Sequence, residues 1–115
     1  MVKKASDMKV TLREKMRGGD GSAVMKAMLD EGEYNGRARL FSTITLEPGS
    51  SIGEHVHDNE EEIFYVIEGI AVYNDDGKDV VMNKGDCCIC LGGQKHSLAN
   101  RGSETLTVVA IILTY

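Results

Sequence analysis

The sequence predicts an all-β chain folded as one sandwich or barrel, and three observations carry that expectation. Thirteen glycines and a single proline, Pro48, punctuate the 115 residues at short intervals. The runs between them are rich in Val, Ile, Thr, Tyr and Phe, side chains that suit a pleated, half-buried surface. Helical spacing of apolar residues occurs only over 22–29, through Val24, Ala27 and Met28. That segment is short and follows a glycine cluster, so a strand is the preferred reading and a helix the alternative.

Taken in order, the segment before Arg37 is too long for a bare tail and too polar for a domain of its own. The chain therefore divides into an N-terminal arm over 1–36, whose strands pack on the barrel or on a partner, and a barrel over 37–115. Strand signals in the barrel lie at 40–46, 63–67, 71–73, 80–82 and 106–113. Turn signals separate them at Pro48-Gly49, Glu68-Gly69, Lys84-Gly85-Asp86 and Gly92-Gly93. Asp76-Gly77, between Tyr73 and Val80, reads as a hairpin turn. The nearly continuous apolar run 106–113 predicts a strand buried on both faces. With the arm, it favours a homodimer.

Composition narrows the function classes. Apolar residues make up 42% of the chain, ordinary for a globular protein, and no run of eighteen or more spans a bilayer. Net charge is −5 with acid and base interspersed, which argues against nucleic acid, since a phosphate backbone calls for a basic stripe. Met1 to Asp7 is basic but no apolar core follows it, so no secretory signal is expected and the cytoplasm is the default location. Cys87, Cys88 and Cys90 form an odd, clustered set that cannot build a disulfide framework. They read as small packed apolar residues.

The chain has three histidines, and two of them, His55 and His57, are spaced to share one face of a strand. Glu62 follows five residues later, with Phe64 and Val66 on its face of the next strand and Ile63, Tyr65 and Ile67 on the other. His96 lies far along the chain after Gly92-Gly93. Three imidazoles and a carboxylate suit a first-row transition ion better than calcium or magnesium. From these residues alone an exposed histidine pair beside an acidic loop is the favoured reading.

The stretch from Gly49 to Gly69 resembles the first cupin motif: a glycine, five residues, H-x-H, three or four residues, a glutamate, six residues and a glycine. Gly49, His55, His57, Glu62 and Gly69 fall on its fixed positions. Gly85, Gly93, His96 and Asn100 match the second motif, with Leu91 where the family usually has proline. The same spacing selects Glu62 from the run Glu60-Glu61-Glu62. The resemblance implies a double-stranded antiparallel β-barrel, or jelly roll. Inside its mouth it implies one divalent metal (Mn, Fe, Ni, Co, Cu or Zn) on His55, His57, Glu62 and His96, with two coordination positions left open. Asn100 is expected to order a turn rather than to ligate.

Around such a metal, Phe64 and Val66 are expected to line the cavity, and Cys90 to line it without ligating, while Cys87 and Cys88 pack in the core. Glu54, Glu60, Arg37 and Arg39 are candidates for proton transfer or anion contact, though solvated positions are the commoner role for such residues. Tyr65 and Tyr73 read as structural. The function this implies is a metal-dependent enzyme on a small organic acid or sugar, of decarboxylase, dioxygenase, isomerase or lyase type. The alternatives are a non-catalytic barrel that binds or senses a small molecule and a barrel whose metal is structural. No helix-turn-helix accompanies the barrel, which disfavours a DNA-binding regulator.

Overall fold

The computed structural model describes residues 1–115. Ten strands account for most of the chain: β1 (Lys9–Glu14), β2 (Ser22–Leu29), β3 (Ala38–Leu46), β4 (Ser51–Val56), β5 (Glu60–Glu68), β6 (Ala71–Asp75), β7 (Lys78–Met82), β8 (Cys87–Cys90), β9 (Lys95–Ala99) and β10 (Leu106–Thr114). The remainder is turns and two single-turn 3-10 segments, Ala5–Asp7 and Met16–Gly18. The ambiguous 22–29 segment is strand β2, because pairing with β1 and β3 outweighs its weak helical spacing. Asp76 and Gly77 both take positive φ, 50° and 105°, at the β6–β7 hairpin, the twist that a two-residue turn requires. Gly49, Gly69 and Gly85 close strand ends at φ of 87°, 81° and 94°.

All strand pairs are antiparallel and fall into two sheets, one ordered β1-β2-β3-β10-β5-β8 and the other β4-β9-β6-β7. Every strand pairs within its own sheet, so the expected barrel is not closed by hydrogen bonds and the fold is a jelly-roll sandwich. An apolar pocket lined by Tyr73, Val80, Met82, Cys88 and Ile89 lies where the edges β7 and β8 stand apart.

The core forms between the sheets. Ile44, Leu46, Phe64, Val66, Leu106 and Val108 come from the larger sheet, and Ile52, Tyr73, Met82 and Leu98 from the smaller. Each large apolar side chain so buried contributes roughly 1.5–3 kcal/mol. Strand β10 departs from the expectation of burial on both faces. Leu106, Val108, Ala110 and Ile112 are buried, while Thr107, Val109 and Ile111 are half-covered on the outer face of the sheet. Asn100 is buried and ties the β9–β10 turn together, its Nδ2 donating to the carbonyls of Leu46 and Glu104 at 2.8 Å each.

Candidate metal centre

Three strands bring the predicted ligands together. His55, next to last in β4, lies directly opposite His96 on β9. Two residues on, His57 is held by its carbonyl, which accepts the Gly93 N–H at 2.8 Å. Glu62 projects from β5 in register with Cys90 of β8. His57, Glu62 and His96 are buried and His55 is half-buried towards the mouth.

Each imidazole turns Nδ1 outward to a partner. His55 Nδ1 donates to the Gly53 carbonyl at 2.7 Å, and His57 Nδ1 to Glu60 Oε2 at 2.7 Å. His96 Nδ1 meets the buried Tyr73 hydroxyl at 3.1 Å. With Nδ1 carrying the proton, every Nε2 presents its lone pair inward. Phe64 stacks flat on His96, with ring centroids 5.3 Å apart at 4°, which fixes the plane of that ring.

The four inward atoms lie within 4.8 Å of one another. The Nε2 atoms of His55, His57 and His96 are separated by 3.2, 3.1 and 3.2 Å. Glu62 Oε1 is 2.8 Å from His57 and 3.2 Å from His96. His55 and Glu62 form the wide pair, beyond 4.0 Å. A six-coordinate ion with ligands at about 2.1 Å separates neighbouring ligand atoms by about 3.0 Å and opposite ones by about 4.2 Å. A tetrahedral ion would give six equal separations of about 3.4 Å. Five short separations and one long one fit a six-coordinate ion better than a tetrahedral one, and such an ion would be held by His55, His57, Glu62 and His96 with room for further ligands. Three lone pairs and a buried carboxylate pressed this close repel one another unless a cation lies among them.

Without an ion the same atoms can share protons instead. Burial pushes the Glu62 carboxyl up, but when His57 and His96 carry a proton on Nε2 their hydrogen bonds outweigh it and hold the group below its ordinary value. The Glu62 hydrogen bond raises His57, with Glu60 adding to the effect. Burial lowers His55, and the positive charge of Arg17 acts in the same direction.

Glu60 is not a solvated loop carboxylate. Besides His57 it takes a two-pronged hydrogen bond from Arg39, at 2.7 and 2.6 Å. The Arg39 hydrogen bond chiefly depresses its pKa to about 2. Glu54 is exposed, 4.0 Å from Lys95, and Arg37 is exposed on the approach to β3.

The site opens into a cavity of about 490 Å³ whose far wall is the β1–β2 hairpin, Leu12 to Arg17. Arg39, Met25, Leu40, Ile44, Ile52 and Ile112 complete the lining. Phe64 and Val66 do not line it as expected. They face the same side as Glu62 but sit deeper, where the sheets close on each other. Nor does Cys90, which is buried in register with Glu62, its thiol directed at the carbonyls of Leu91 and Gln94. Cys87, expected to be packed, is exposed because it points outward on edge strand β8. Cys88 is half-buried against the core, so of the two it alone follows the packing expectation. The hairpin wall and the Tyr73 contact to His96 were not anticipated. Alternation along β6 puts Tyr73 inside, but nothing in the sequence pairs it with His96.

Comparison with known proteins places this geometry. The profile described as Cupin domain matches residues 42–112, which include all four ligand positions. A Thermotoga maritima protein named "Oxalate-binding protein" is 39% identical over 98% of this chain and 93% of its own length. The crystal structure of a "predicted oxalate decarboxylase" from the same organism superposes with a TM-score of 0.95 at 38% identity, covering 100% of both chains. The polyketide cyclase RemF of Streptomyces resistomycificus shares the fold at TM-score 0.77 and 18% identity, over 99% of this chain and 80% of its own.

Proposed function

The chain belongs to the cupin family, and from that premise we propose that it holds one divalent transition metal on His55, His57, Glu62 and His96 and handles a small organic acid there. One observation carries the reading: five short ligand-atom separations and one long one, with all three Nδ1 atoms engaged away from the centre. The relatives named for oxalate support the ligand class.

When bound, the metal would supply Lewis acidity to a carboxylate or hydroxyl oxygen at the positions the protein leaves free. The chain's own residues do the remaining work. Gly53 and Glu60 fix the tautomers of His55 and His57, and Tyr73 holds the tilt of His96. Phe64 holds His96 from behind, and the apolar residues Leu40, Ile44, Ile52 and Ile112 exclude water from one side of the cavity. Capture without turnover is the second reading, and it too has an observation. Apart from Glu62, the one carboxylate lining the cavity is Glu14 on the exposed hairpin, while Glu60 is committed to His57 and Arg39.

Elemental analysis of untagged protein beside a His55→Ala/His96→Ala variant, followed by oxalate turnover and binding assays on the loaded protein, tests the reading. Near-stoichiometric manganese, iron, nickel, cobalt, copper or zinc lost in the variant is expected. Product formation selects an enzyme, and binding without product selects capture. No metal in either protein after reconstitution contradicts the site.

A homodimer is part of the same proposal. Strand β1 leaves a free edge with Val10 and Leu12 exposed, and the outer face of the larger sheet exposes Tyr65, Ile67 and Ile89. A second copy would cover these apolar side chains. Sedimentation as a monomer at micromolar concentration contradicts it.

A further inference from the structure

The chain is acidic overall, with 18 Asp and Glu against 13 Lys and Arg, yet its cavity reverses that balance. Arg13, Lys15, Arg17 and Arg39 line it, against the carboxylates Glu14 and Glu62. If Glu62 is a metal ligand, as proposed above, its charge is spent on the ion, and the mouth presents a strongly positive field to anything that enters.

The four cations are not equivalent. Arg39 is occupied by Glu60 through both of its hydrogen bonds. Arg13, Lys15 and Arg17 have no carboxylate within 4.0 Å. Among these, Arg17 is set by an unusually determined backbone. It lies in the left-handed region at φ 54°, ψ 31°, two residues after Lys15 in the same region. Side-chain-bearing residues rarely stay there unless their surroundings hold them.

Those surroundings belong to the metal site. The Arg17 carbonyl lies against Gly53, where any Cβ would collide with it. The turn is pinned to β4 by Ser51 N–H donating to Asp20 O at 2.8 Å and Asp20 N–H donating to Ser51 Oγ at 2.9 Å. Gly53 is also the residue whose carbonyl orients His55. One backbone position thus sets both an imidazole of the site and the turn that carries Arg17 over the mouth.

We infer that Arg17 is the second pole of the ligand site, binding the anionic oxygens that face away from the metal, and that the preferred ligand is a short dianion such as a dicarboxylate. The inference rests on the metal reading above and adds to it a residue and a charge requirement. A monoanion reaches only the metal. A dianion also takes the forked guanidinium, a charge-assisted contact that a lysine reproduces in charge but not in geometry.

The test is calorimetric titration of manganese-loaded protein with oxalate and with acetate, on wild type, Arg17→Gln, Arg17→Lys and Arg13→Gln. Arg101→Gln, an exposed arginine paired with Asp79, controls for net charge. Manganese content is measured on every sample. Arg17→Gln is expected to weaken oxalate binding roughly tenfold to a hundredfold. Acetate affinity and manganese content should stay within twofold, Arg17→Lys should fall between, and Arg101→Gln should match wild type. Full manganese with unchanged oxalate affinity in Arg17→Gln overturns the assignment, as does a loss seen in Arg13→Gln instead. Full manganese and no oxalate binding by wild type overturns the ligand class. Failure of wild type to hold manganese or any other ion of the series overturns the metal reading and the second pole with it. Because Arg17 is exposed, its replacement leaves the core intact, and circular dichroism of each variant verifies the fold.

Discussion

The two walls of the cavity are built on different principles. One wall, formed by β4, β5 and β9, carries the four candidate ligands, is largely buried, and has every imidazole fixed by a hydrogen bond behind it. The other, the β1–β2 hairpin from Leu12 to Arg17, is largely exposed, cationic and held by backbone contacts to β4. The family profile covers the first wall and leaves out the second, while the Thermotoga maritima relative aligns over nearly the whole chain. Chemistry common to many cupins thus sits on one side of the cavity. On the other side, a separate element can change what enters without disturbing the ligands.

If the first wall is the rigid one, damage behind it should cost most. Phe64→Ala removes the ring stacked on His96 and opens a cavity between the sheets. A loss of about 3–5 kcal/mol of stability is expected, read by chemical denaturation. A loss under 1 kcal/mol would mean that His96 is not set by packing. The next largest effect concerns Glu60. Glu60→Gln keeps the shape but weakens the acceptor for His57 Nδ1 and the partner of Arg39. Metal affinity should fall about tenfold to a hundredfold, measured by competition with a chelator. An unchanged affinity would make Glu60 a surface ion pair and no more.

The same carboxylate gives a pH signature. Its pKa is depressed to about 2 from an ordinary 4.5, so it adds stability above pH 4.5 that is lost as pH falls towards 2. The stability gap between wild type and Glu60→Gln should be full at pH 6 and shrink steadily below pH 4.5. A gap that is flat with pH contradicts the ion pair. The smallest effect separates the thiols. Burial pushes Cys88 up to about 12 and Cys90 up to about 11, whereas Cys87 is exposed. Alkylation at pH 8 should label Cys87 rapidly and the other two slowly, as mass spectrometry of the digested protein would resolve. Rapid labelling of Cys90 would place it in the open cavity after all.

The contrast between the walls also marks what the sequence could reveal. His55 and His57 were legible because a period of two puts both on one strand face, and Glu62 because its spacing to Gly69 is fixed. His96 was legible through the resemblance of its surroundings, since no local rule joins residues 41 apart. The hairpin at Asp76-Gly77 followed from turn chemistry. Alternation gave the side on which Phe64 and Val66 lie but not their depth, which depends on how closely the two sheets approach. The same limit hid the exposure of Cys87, an outcome of β8 being an edge strand. The strand at 22–29 was legible, but the place of its hairpin as a wall of the cavity was not. Its approach to β4 depends on Gly19 and Gly53 packing backbone against backbone, a contact that leaves no periodic trace.

Cobalt substitution reads whether the four side chains would hold a six-coordinate ion with room for a ligand, because six-coordinate cobalt(II) absorbs weakly in the visible and tetrahedral cobalt(II) strongly. One cobalt per chain is expected, with weak bands that shift when oxalate is added and disappear in His96→Ala. Strong tetrahedral bands unaffected by oxalate would mean that the four residues close around the metal and leave no place for a ligand.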